Sequence, residues 1–123
     1  MDGDLPEKDW KAIRRLHAEA LERFCRRVLE HAARIAGSAG QSAHARYLEL
    51  YKLVEEQDKE IEWIFNDLRR SNAVERLCAM CSRRLLSQEE LACLSPETLE
   101  RVRWFTEEPF TDGGERADVQ GQQ

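Results

Sequence analysis

Between Pro6 and Pro96 this 123-residue chain contains no proline and only two glycines, Gly37 and Gly40. A backbone so free of helix breakers can build long helices, and the apolar residues say how those helices would pack. Tyr47, Val54, Ile61 and Leu68 recur every seven residues, with Leu50, Gln57 and Ile64 in a companion frame three residues behind. An average spacing of 3.5 keeps successive side chains on one seam facing a partner helix.

A second periodic stretch lies upstream. Trp10, His17, Phe24 and His31 repeat every seven residues, Leu21, Val28 and Ile35 accompany them, and Ile13, Leu16 and Ala20 widen the stripe. Pro6 suits a first helical turn, and Glu7 and Asp9 complement the positive end of the helix dipole. Gly37 marks a stop, the segment 37–42 is a turn by composition, and Ser42 is an N-cap for the next helix. Helices over about 6–36 and 43–70 joined by so short a turn fold back as an antiparallel hairpin. Reflection about the turn pairs Ile35 with Tyr47, Val28 with Val54, Leu21 with Ile61 and His17 with Phe65.

Beyond the hairpin, Asn72 with Glu75 and Ser87 with Glu90 form capping-box patterns, predicting helices over 73–86 and 88–94. Ser95-Pro96-Glu97 opens a further helix to about 105. Residues 107–123, rich in Gly, Gln and acids, read as a disordered acidic tail behind a single helical domain of residues 1–106. The expected fold is all-α: a long hairpin with two or three short C-terminal helices. The first helix offers more apolar width than one partner covers, so a bundle completed by dimerisation is expected.

Composition excludes several classes. The chain has no apolar run long enough to span a membrane, and its N-terminus has neither the basic start nor the apolar stretch of a signal peptide. A cytoplasmic protein with reduced cysteines is expected. The net charge of −5 disfavours indiscriminate nucleic-acid binding. Only the segment 69–84 is locally basic, and Arg69, Arg70, Arg76, Arg83 and Arg84 are therefore the interaction candidates. A helix-turn-helix reading of 85–99 fails on its spacing and on acids, Glu97 and Glu100, at the start of the would-be recognition helix.

Candidate chemistry is sparse. Cys78 and Cys81 form one C-x-x-C, with Cys93 and the distant Cys25 as the remaining thiols; zinc sites usually need two such pairs, so packing is the stronger reading and metal the weaker. No Glu-x-x-His occurs, which argues against a di-iron bundle; His17 and His31, with His44 farther on, read as histidines beside the core. Glu55, Asp58 and Glu62 share a helical face, and with Gln57 they suggest register control or solvation. Phosphate-loop, nucleophile-elbow and zinc-protease motifs are absent. A non-catalytic, cofactor-free helical module for protein–protein contacts is the expectation. A nucleic-acid-associated regulator using 69–84 and a Cys78/Cys81 metal protein are the alternatives.

Overall fold

In a computed structural model, residues 5–103 are described, and they contain helices and no strand. Helix α1 spans Glu7–Ala36, α2 Ala43–Ile64, α3 Ala73–Ser82 and α4 Gln88–Leu91; residues 96–103 are helical and form α5. A short 3-10 turn, Arg70–Asn72, leads into α3. The expected tail at 107–123 and the end of the helix predicted to residue 105 lie outside the described residues.

The hairpin forms as its turn chemistry requires. The Gly37 N–H bonds the Ala33 carbonyl at 3.0 Å, and a Cβ there would lie 3.3 Å from that oxygen, so glycine serves a close approach. Ser42 caps α2 by accepting from the Ala45 N–H at 3.0 Å. Arg46 donates to the Ala36 carbonyl at 2.5 Å, and His17 Nε2 lies 2.9 Å from the Phe65 carbonyl oxygen. Both contacts obey the reflected register, so the two helices are level as predicted.

The rotation of α2 about its axis is different from the expected one. Its buried residues are Leu53 and Ile64, flanked by half-buried Leu50, Gln57 and Ile61. The companion frame faces α1, while Tyr47 and Val54 face water. Two apolar stripes compete on α2, and the choice is made at the root, where Ile64 and Phe65 are buried and the Phe24 and Phe65 rings meet edge to face at 5.7 Å. Tyrosine hydroxyls are also better left near solvent than driven into an apolar seam.

Helix α2 ends at Ile64, earlier than the predicted Arg70. The Phe65 and Asn66 N–H groups share the Ile61 carbonyl, and Asp67 takes a left-handed conformation (φ 62°), which Asx residues tolerate. Asn72 then closes the turn backwards: its Oδ1 accepts from the Arg69 N–H at 2.8 Å and its Nδ2 donates to the Asp67 carbonyl at 3.0 Å. Its side chain does not cap α3, so the predicted capping box with Glu75 is not formed. Helix α3 likewise stops at Ser82 instead of 86, because Arg84 is left-handed (φ 57°). Ser87 and Glu90 do form their box, yet α4 lasts one turn to Leu91 instead of reaching 94.

The core sits at the root of the hairpin, where α1, the end of α2, α3 and α5 meet. Ile13, Ala20, Ile64, Ala73, Leu77 and Met80 are fully buried there, joined by Leu85, Leu94 and Val102. The Ile13/Ala20 side of α1, expected to await a second subunit, is therefore covered by the chain's own C-terminal helices.

Candidate interaction surface

Apart from Trp63, whose ring lies against Arg83, four large apolar residues on α2 are at least half exposed: Tyr47 (63%), Tyr51 (58%), Val54 (51%) and Leu48 (50%). At 100° per residue they fall on one face, and Glu55, Asp58 and Glu62 continue it toward the C-terminus. These three carboxylates are exposed, whereas Gln57 is half-buried. Glu60 and Trp63, which meet Arg83 and Arg76 of α3 and its exit, point the other way around α2. The apolar face thus lies on the side of the hairpin away from the C-terminal helices.

The same side of α1 carries Leu29, 68% exposed, with Ala18 and Ala36 also exposed and Ala32 half-buried. Small residues beside large ones let a further helix approach closely. The surface therefore spans both helices of the hairpin.

The predicted arginine cluster is dispersed into structural contacts. Arg69 pairs with Asp67 at 2.9 Å, and Arg70 binds the Leu5 carbonyl through Nε and Nη2 and the Glu7 carboxylate at 2.9 Å. Arg76 donates to the Trp63 carbonyl, and Arg83 pairs with Glu60 while its guanidinium lies 6.0 Å from the Trp63 ring centroid. The Arg84 side chain is exposed. Four of the five candidates thus bind partners within the chain, which weakens a shared phosphate-binding patch.

Cys78 and Cys81 are partly buried and pack against the core. Burial pushes the Cys78 thiol up to about 12 and that of Cys81 to about 11, so both hold their protons at neutral pH. Cys93 is exposed, donating to the Glu90 carbonyl at 3.0 Å with Arg15 3.6 Å away. Among the described residues, no three His, Cys, Asp or Glu side chains come together in a way that could hold a metal ion. Of the histidines, His17 is fixed against Phe65, with ring centroids 5.3 Å apart; His31 and His44 are exposed.

The most elaborate polar arrangement involves a residue that sequence reasoning assigned elsewhere. Asp9 is fully buried and accepts from the Ser95 N–H (3.0 Å), Ser95 Oγ (2.6 Å) and Thr98 Oγ1 (2.5 Å). Burial raises its pKa, but the hydrogen bonds from Ser95 and Thr98 outweigh that and hold it below the ordinary carboxylate value. Its acid complements the start of α5 across the fold, as well as the first turn of α1 on which it sits. Ser95 also caps α5 through a 3.4 Å contact from the Thr98 N–H, as predicted.

A second polar clamp fixes the α3–α4 connection to α1. Arg23 binds Glu90 through both guanidinium nitrogens (2.8 and 2.6 Å) and the Leu85 carbonyl (2.8 Å). One turn on, Arg27 binds the Arg83 and Arg84 carbonyls at 2.7 and 2.6 Å. The Arg23 guanidinium, with the Ser87 N–H, lowers Glu90 to about 2. The i, i+4 spacing of Arg23 and Arg27 could have flagged one face, but the carbonyls they reach are invisible before the left-handed turn at Arg84 is known.

Comparison with family models, with curated proteins and with solved structures finds no match for the chain. No helix among the described residues is long and apolar enough to cross a membrane.

Proposed function

We propose that the protein is a non-catalytic helical interaction module, and that the first partner of its hairpin is a second copy of the same chain. The observation that carries this is the exposed stripe Tyr47, Leu48, Tyr51 and Val54, on a face of α2 that α1 does not use. Contiguous apolar patches of this kind mark contact surfaces on soluble proteins. The leftover width once expected on the Ile13/Ala20 side of α1 no longer supports a dimer; the α2 stripe and Leu29 take over that role. Pairing two hairpins through these faces gives a four-helix arrangement in which each copy covers the exposed stripe of the other.

The non-catalytic part draws on the titratable groups. The hydrogen bonds that lower Asp9 and Glu90, and the burial that raises Cys78 and Cys81, all serve to hold helices together. Sedimentation equilibrium over a dilution series tests the proposal. A mass of twice 14.3 kDa at micromolar concentration, falling toward the single-chain value on dilution, is expected. A single-chain mass throughout contradicts it.

A further inference from the structure

We infer that the two copies pair antiparallel along α2, with the two-fold axis passing beside Tyr51. This goes one step beyond the self-association proposed above and rests on it. The outer face of α2 is divided lengthwise: apolar from Tyr47 to Val54, then acidic at Glu55, Asp58 and Glu62. Self-pairing has two simple directions, and charge decides between them. A parallel pair sets each carboxylate beside its own copy. In an antiparallel pair centred on Tyr51, the two Asp58 side chains are separated by fourteen residue levels, roughly 21 Å along the helices. That exceeds the screening length of about 8 Å at physiological salt, so their repulsion is removed.

The antiparallel register also places complementary groups together. Residue numbers at one level add to 102, which sets Leu48 against Val54 of the second copy, Tyr51 against Tyr51, Tyr47 against Glu55 and Asp58 against His44. The first turn of α2 contains no acidic residue of its own, and its N–H groups and Ser42 cap form the positive end of the helix. Asp58 of the second copy arrives beside that end, and the symmetry makes the contact twice. The Tyr47 hydroxyl, on an exposed side chain, comes level with the Glu55 carboxylate as a hydrogen-bond donor. The stripe fits a second copy because the acid half of one chain lies level with the acid-free start of the other.

Site-directed thiol cross-linking of the full chain tests this register. Cys25 and Cys93 are first changed to Ser, which leaves the half-buried, protonated thiols Cys78 and Cys81. In that background Tyr51→Cys should form a covalent dimer rapidly under mild oxidation, because only a residue on the axis meets itself. Leu48→Cys or Val54→Cys alone should react at least tenfold more slowly, whereas an equimolar mixture of the two should cross-link. Asp58→Lys should raise the dimer dissociation constant about tenfold, through loss of two helix-end contacts. A stable dimer by light scattering in which Tyr51→Cys does not cross-link overturns the register and leaves self-association standing. A monomer by light scattering overturns both and assigns the stripe to a different partner.

Discussion

The root and the tip of the hairpin place the same kinds of side chain in opposite surroundings. At the root, Ile13, Ala20, Ile64 and Leu77 are sealed between α1, α2, α3 and α5, and the Asp9 and Arg23 clusters lock the layers together. At the tip only two helices meet; Ile35 and Leu53 are buried between them, while Tyr47, Tyr51 and Val54 lie open. The root therefore carries stability, and the tip carries surface. The difference teaches that heptad spacing on α2 reports two faces at once, only one of which the chain itself satisfies.

The largest effect that could break this contrast is a cavity at the root. Leu77→Ala should cost about 2–5 kcal/mol in urea denaturation, since its side chain is fully enclosed. A cost near zero would mean that the root is not the core. Next comes the polar lock. Asp9→Ala leaves the Ser95 and Thr98 donors without their acceptor and should destabilise by about 1–3 kcal/mol, with Asp9→Asn recovering part of the loss through its amide oxygen.

Acid should loosen the root. Glu90 is held at about 2 by Arg23, against an ordinary value of 4.5, so its contribution is complete above pH 4.5 and fades as the pH falls toward 2. Asp9 is likewise below its ordinary 3.8, so its share is also lost on the acid side, below about pH 4. Thermal melts of Glu90→Gln should show a flatter decline between pH 4.5 and 2 than the parent chain. An equally steep decline would remove the Arg23–Glu90 clamp from the account. The smallest effect belongs to the tip: in dilute solution, Val54→Ala should change stability by less than about 0.5 kcal/mol, because that side chain is half exposed within one chain.

Much of the architecture was legible in residues 1–64. The absence of breakers, the turn at Gly37 and the cap at Ser42 define the hairpin and its axial register, as the His17–Phe65 and Arg46–Ala36 contacts confirm. The rotation of α2 was not legible, because two stripes of similar apolar content run along it and packing at Phe24 and Phe65 selects one. The ends of α2 and α3 were missed for one common reason: Asp67 and Arg84 adopt left-handed conformations that neither residue type announces. For the candidate surface, Tyr47 and Val54 were visible as a seam, but assigning them to the partner helix within the chain hid their availability. Asp9 could be placed at a helix start, yet nothing local shows that it also serves a second helix start 86 residues later.

The central claim, that the tip is surface for association and the root is core, is tested most directly with one variant measured in two ways. Val54→Glu should hold the sedimentation mass at a single chain at concentrations where the parent is a dimer. In dilute solution its melting temperature should stay within about 3 °C of the parent's, as expected for an exposed position on a domain of this size. A variant that keeps the parent's mass, or that melts at dilution as early as Leu77→Ala, would contradict the account.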